Sequence, residues 1–312
     1  MKFDVVTFGS SFVDVYLSSR NFKVKDNLLC QSYDSKIAVD KLVITTGGGA
    51  TNTAVGFERL GLQTGCVTCV GKDHWGLFVR QELKKEGVSP LYIQQVDEAT
   101  SYSTILVSAD GGRSALIYRG ASSKLSWHKV EWDKLGPEWF YVSSLGGDLN
   151  LLTKIIRTAQ AKKIKVALNP GSGEILAQEK LTAFLPYIEV LIVNRQEAAQ
   201  LTQHEFKNKE EIVTDLRKLG ARIVAMTEGK KGAVLLEGRK VISLPAVPVE
   251  TVEETGAGDG FGCGLVAGLI KFTSLEKALK LGLVNGASVV GHFGPKTGLL
   301  FEPDLADWLK KL

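Results

Sequence analysis

Short apolar runs alternate along the chain with longer stretches in which apolar positions recur every three or four residues. The runs at residues 4–9, 63–70, 140–143, 165–168, 190–193 and 223–227 read as strands, and β-branched and aromatic side chains dominate them. Helical spacing predicts helices at residues 50–60, 74–86, 150–162, 209–219, 256–272, 275–292 and 303–310. Strand and helix in strict succession make βαβ units, so the expected architecture is an α/β fold of three layers, a mostly parallel central sheet with helices on both faces. Residues 13–45 and 99–119 break the rhythm. In the second of these, the runs 103–108 and 114–118 flank Asp110-Gly111-Gly112, the signature of a hairpin. Antiparallel strands do not belong inside a βαβ winding, so these two segments are expected to form a small β lid over one edge of a single large domain, residues 1–312.

Composition narrows the partners. The 312 residues are 44% hydrophobic and 23% charged, a balance that supports a large core without a disulfide or metal staple. Thirty-eight basic and 34 acidic side chains leave a net charge of +4, scattered along the chain, which gives no nucleic-acid footprint. The longest apolar stretch, residues 261–270, falls well short of the roughly 20 residues of a membrane span. The first residues, with Asp4 inside the first apolar run, lack a secretory h-region, so a cytoplasmic location is expected. Cys66 and Cys69 form an isolated CxxC on a strand, where odd spacing sends the thiols to opposite faces; buried, unreactive cysteines are the expectation. His74, His128, His204 and His292 do not cluster.

Two glycine turns carry the chemistry. Thr255-Gly256-Ala257-Gly258-Asp259-Gly260 leads directly into an apolar helix, and backbone N–H groups at Gly256, Ala257 and Gly258 with the positive end of that helix make a cradle for an anion. Asp259 is out of place in such a cradle unless it takes a proton from an attacking hydroxyl. The second turn, Gly47-Gly48-Gly49-Ala50-Thr51-Asn52, again enters a helix, and suits close approach of backbone to a polar ligand. No Lys-Ser or Lys-Thr follows the glycines and no GxGxxG follows a strand, which excludes Walker A and dinucleotide-binding readings.

With both turns in this order, the chain resembles the ribokinase, or PfkB, family of carbohydrate and nucleoside kinases over residues 4–303. The resemblance implies a ribokinase-like fold with a β lid, and transfer of the γ-phosphate of ATP to an alcohol of a ribose-like or fructose-like sugar or, alternatively, of a nucleoside such as adenosine or cytidine. On the matching positions it implies Asp259 as general base with Gly256, Ala257 and Gly258 as anion hole, and Asp14, Gly47, Gly48 and Asn52 at the acceptor. It implies Asn194, Thr227, Gly229, Gly232 and Asn285 at the nucleotide, and Glu197 at Mg2+ through water. Aromatics in or near the lid, Phe12, Tyr16, Tyr33, Tyr102 and Tyr118, are candidates for stacking on a nucleoside base. Pairing of lids in a homodimer is a further implication. Glu253 stands where the family usually has Asp, at a position that in some relatives contributes to a K+ site, and Glu254 stands where a small residue is common.

Overall fold

The computed structural model describes residues 2–312. In chain order its strands are β1 (Val5–Phe8), β2 (Phe12–Ser18), β3 (Lys23–Lys25), β4 (Leu28–Cys30), β5 (Lys41–Gly47), β6 (Thr64–Gly71), β7 (Ile93–Val96), β8 (Tyr102–Val107), β9 (Arg113–Tyr118), β10 (Trp139–Val142), β11 (Lys165–Leu168), β12 (Val190–Asn194), β13 (Ile223–Thr227), β14 (Ala233–Glu237) and β15 (Lys240–Leu244). Nine of them make one sheet in the order β15-β14-β13-β12-β11-β10-β1-β6-β7. Every pairing from β13 to β7 is parallel, and β14 and β15 close one edge antiparallel.

Strands buried on both faces explain the continuous apolar runs: β1, β6 and β10 are buried at every position. Alternation then sorts their side chains between two cores. Val5, Cys66, Trp139 and Tyr141 pack with helices Gly49–Arg59, Ala257–Lys271 and Leu275–Val290 on one face. Val6, Phe8, Phe140 and Val142 pack with helix Leu149–Lys162 on the other. Cys66 and Cys69 are both buried and free, and burial pushes their thiols up to about 12 and about 11, so neither is a ready nucleophile.

The two rhythm-breaking segments pair with each other, which the hairpin reading did not include. They form one four-stranded sheet, β5-β2-β8-β9, whose middle pair β2 and β8 runs parallel and whose outer pairs run antiparallel. The tight hairpin in the first segment is a third, two-stranded piece, β3 and β4, turning at Asp26 and Asn27, both with positive φ. Also absent from the periodicity reading are β7, β14, β15 and the short helix Arg195–Thr202. The expected helix 209–219 ends as a 3₁₀ turn at Arg217–Leu219, and 303–310 is a 3₁₀ turn at Glu302–Asp304 followed by Leu305–Leu309. Among the described residues, no helix is long and apolar enough to cross a membrane.

Phe57 shows how tightly the helices sit on the sheet: it is fully buried, and its ring meets Tyr141 edge to face at 5.4 Å. Phe57→Ala is expected to cost about 3–5 kcal/mol, read as a lower midpoint in urea unfolding with unchanged slope.

Candidate active site

In a parallel open sheet, ligands gather beyond the carboxyl ends of the strands, where loops meet helix N-termini. Both glycine turns lie there. After β5, Gly48 takes φ 97° and helix Gly49–Arg59 begins; Thr51 Oγ1 donates to the Gly47 carbonyl at 2.6 Å and fixes the turn. Gly256, at φ 83°, starts helix Ala257–Lys271 with its α-carbon against Pro295, where a Cβ would come within 2.5 Å of the proline Cβ. The space beside Gly258 is open: an added Cβ would meet no atom within 4 Å.

One hydrogen bond joins the turns. Asn52 Nδ2 donates to Asp259 Oδ2 at 2.7 Å, across 207 residues of chain. Asp259 Oδ1 accepts no hydrogen bond from the described residues, and Asn52 Oδ1 is buried without a partner. Asp14, from β2, reaches the same place: its carboxylate lies against Gly47, where any Cβ would collide with it, and Ser103 of β8 donates to its Oδ1. Gly49 links the group to β10, since a Cβ there would lie 2.5 Å from Ser143 Oγ and 3.6 Å from Asp259 Oδ1. Asp14, Gly47, Gly48, Asn52, Gly256, Ala257, Gly258 and Asp259 are therefore brought together.

The carboxyls of Asp14 and Asp259 both sit above the ordinary carboxylate range, because burial strips them of water. Hydrogen bonds from Ser103 and Asn52 respectively, and the charge of Lys296, pull back against that rise. Lys296 is the residue that sequence reasoning missed. Its ammonium is buried and donates to the Thr46 carbonyl at 2.7 Å and to Thr46 Oγ1 at 2.9 Å, at the end of β5. Its own carbonyl accepts from Arg59 Nη1 at 2.7 Å, and Arg59 is in turn held by Glu86 through two hydrogen bonds of 2.8 and 2.7 Å. Lying just after Pro295 in an irregular stretch, Lys296 carries no periodic signal.

Further along the same sheet edge, Asn194 and Thr227 are paired neighbours at the ends of β12 and β13. From β10 to β13 is three strand spacings of about 4.8 Å, roughly 15 Å. Asn194 and Glu197 form a reciprocal cap: Asn194 Oδ1 accepts from Glu197 N at 2.9 Å, and Glu197 Oε2 accepts from Asn194 N at 2.8 Å. Glu197 Oε1 accepts nothing from the described residues, so one carboxylate oxygen stays available to a hydrated metal ion. Arg195 and Lys209 both pair with the buried Glu228 carboxylate, clamping the loop after β12 to the loop after β13. Gly229 is exposed with open space beside it, whereas Gly232 is packed against the backbone that follows β15.

Two expected site residues are used elsewhere. Asn285 is fully buried; its amide donates to the Gly260 carbonyl at 2.7 Å and to Cys263 Sγ at 3.3 Å, and its oxygen accepts from Leu300 N at 3.0 Å, so it welds two helices and offers nothing to a nucleotide. The Glu253 carboxylate, expected at a cation, is paired with Arg113 of β9. Of the aromatics considered for stacking, Tyr102 and Tyr118 lie on the face of the second sheet opposite Asp14, Tyr16 is buried against Glu253, and Tyr33 is fully exposed; Phe12 alone shares the Asp14 face and stays partly open.

An open α/β sheet with a main-chain cradle facing a buried acid is the framework of a group-transfer enzyme acting on alcohols. Residues 2–300 match the pfkB family carbohydrate kinases, and the chain belongs to that family: it is a phosphotransferase with an alcohol group as acceptor. It is 24% identical over 322 aligned positions to an ATP-dependent 6-phosphofructokinase of Thermoanaerobacterium thermosaccharolyticum, covering 100% of this chain and 94% of that one. It is 27% identical over 271 positions to a cytidine kinase of Thermococcus kodakarensis, covering 84% and 94%. Among solved structures it is similar to a probable sugar kinase from Rhizobium etli, with a TM-score of 0.83, 26% identity and 99% of each chain covered.

Burial pushes the Lys296 ammonium down to about 8, against the opposing pull of Asp14. Between about pH 8 and the unfolded value of 10.5 the unfolded chain binds more protons, so this group adds stability as pH rises through that window. At about 1.4 kcal/mol per pH unit, the parent should gain on the order of 3 kcal/mol relative to Lys296→Met between pH 8 and 10.5, measured by urea unfolding of both proteins at each pH. Parallel curves for the two would contradict the buried ammonium.

Proposed function

We propose that the protein transfers the γ-phosphoryl group of ATP to a hydroxymethyl group of a ribose-like or fructose-like sugar. The observation that carries this is the Asn52–Asp259 hydrogen bond, which aims a carboxylate with one free oxygen into the space between two glycine turns. In this reading Asp14, through the oxygen that Ser103 does not engage, accepts a hydrogen bond from a sugar hydroxyl, and the backbone at Gly47 and Gly48 lies close enough to complete the acceptor site. Asp259 Oδ1 takes the proton of the attacking hydroxyl as the oxygen closes on phosphorus. Gly256, Ala257 and Gly258 direct N–H groups and a helix dipole at the charge on the transferring group.

The nucleotide lies along the edge toward β12 and β13, against Asn194, Thr227, Gly229 and the turn closed by Gly232, within reach of the cradle. Glu197, with its unengaged oxygen, would hold Mg2+ through water, and the ion when bound would neutralise phosphate charge. The second sheet serves as the lid, since Asp14 and Ser103 belong to it while Asp259 belongs to the large sheet's helix layer. Its other face exposes Leu42, Ile44 and Leu116, apolar surface suited to a second copy's lid in a homodimer.

Asp259→Asn keeps a side chain that Asn52 can bond and removes the base, so kcat should fall by about 10²–10⁴ with little change in the KM for ATP. The parent's rate should drop on acidification through a pKa above the ordinary 3.8, because the base works only unprotonated. An Asp259→Asn variant within a few-fold of the parent would remove the proposed role. A coupled assay over ribose, fructose, fructose 6-phosphate, adenosine and cytidine assigns the acceptor: sugars are expected to turn over, and turnover of nucleosides with none of ribose or fructose would favour a nucleoside kinase instead.

A further inference from the structure

Glu253 opens the loop that leads through Thr255 to Gly256, and its side chain is only 3% exposed. A carboxylate this dry requires donors or a cation beside it. Its Oε1 accepts the Thr255 N–H at 2.7 Å and a hydrogen bond from Arg113 Nη1; its Oε2 faces the Tyr16 hydroxyl at 3.4 Å. Arg113 begins β9 and Tyr16 lies in β2, so both donors come from the second sheet, on the same face as Asp14. The remaining Nη of Arg113 lies 3.9 Å from Glu254, which is exposed.

A potassium ion brought to Glu253 would meet a guanidinium already bonded to one oxygen and a hydroxyl facing the other, and could bind the carboxylate only by displacing Arg113. The residues present therefore do not fit a monovalent cation at Glu253. We propose that Arg113 is the resident cation of this loop: by neutralising Glu253, whose Oε1 in turn fixes Thr255 N, it holds the approach to Gly256 in shape, and phosphoryl transfer by this protein is independent of potassium. The proposal rests on reading Gly256, Ala257 and Gly258 as the anion cradle. It makes Arg113 a positioning residue, acting through Glu253 and never touching the reacting atoms.

The test compares the parent, Arg113→Met and Arg113→Lys in potassium, sodium and tetramethylammonium chlorides at one ionic strength, by steady-state kinetics and by thermal unfolding of the ligand-free protein. The parent is expected to keep its kcat within about twofold and the same Tm in all three salts. Arg113→Met should lose about tenfold or more in kcat with a smaller change in acceptor KM, and regain part of it with potassium or guanidinium. Its Tm should rise with potassium specifically, and Arg113→Lys should stay close to the parent. Parent kcat raised about fivefold or more by potassium over tetramethylammonium would overturn the proposal, as would a Met variant indistinguishable from the parent in every salt. If no acceptor is turned over at all, the kinase reading fails separately. The unfolding measurements still decide the role of Arg113: a parent Tm raised by potassium, or a Met variant indifferent to it, sinks the proposal.

Discussion

The hydrogen bond from Asn52 to Asp259 places the N-termini of two helices mouth to mouth, although their sequences lie on opposite halves of the chain. Each helix alone would present a common feature, a glycine entry with a positive dipole end. Brought together, they enclose a space with main-chain donors on its walls and a carboxylate at its floor. The nine-stranded sheet is what holds them there, because helices Gly49–Arg59 and Ala257–Lys271 pack side by side on the same face of it.

Crowding acids into that space has an electrostatic cost, and the cations that offset it come from unrelated parts of the fold. Asp14 and Asp259 share the charge of Lys296, delivered from the stretch after helix Leu275–Val290, while Glu253 has Arg113 from the second sheet. Neither cation is free to move away: Lys296 is bonded at its ammonium by Thr46 and at its carbonyl by Arg59. The three acids and two cations thus tie the second sheet to the large one through charge as well as through chain connection.

Much of this was legible in the sequence where local chemistry dictates local shape. The continuous apolar runs mark β1, β6 and β10 because those strands are buried on both faces, and the glycine turns mark helix entries because no other residue fits φ 83° against a proline so cheaply. Asp259 was legible because an acid among anion-seeking amides is a contradiction that chemistry resolves. Arg113 and Lys296 were not, since a lysine or arginine in an irregular stretch or on an edge strand reads as solvated until tertiary structure supplies its partner. Asn285 misled for the converse reason: its helix was placed correctly, but only packing reveals that its amide is consumed between two glycine-rich helices. The parallel pairing of β2 with β8 also lay beyond periodicity, which reports faces and not partners.

That the layer covering one face of β1, β6 and β10 is built from helices Ala257–Lys271 and Leu275–Val290 bears on how the chain is made. On the ribosome these strands emerge early, and the segments that roof their apolar side emerge last. A nascent chain therefore carries an uncovered oily surface through most of its synthesis, the condition in which chaperones are engaged and truncated products aggregate.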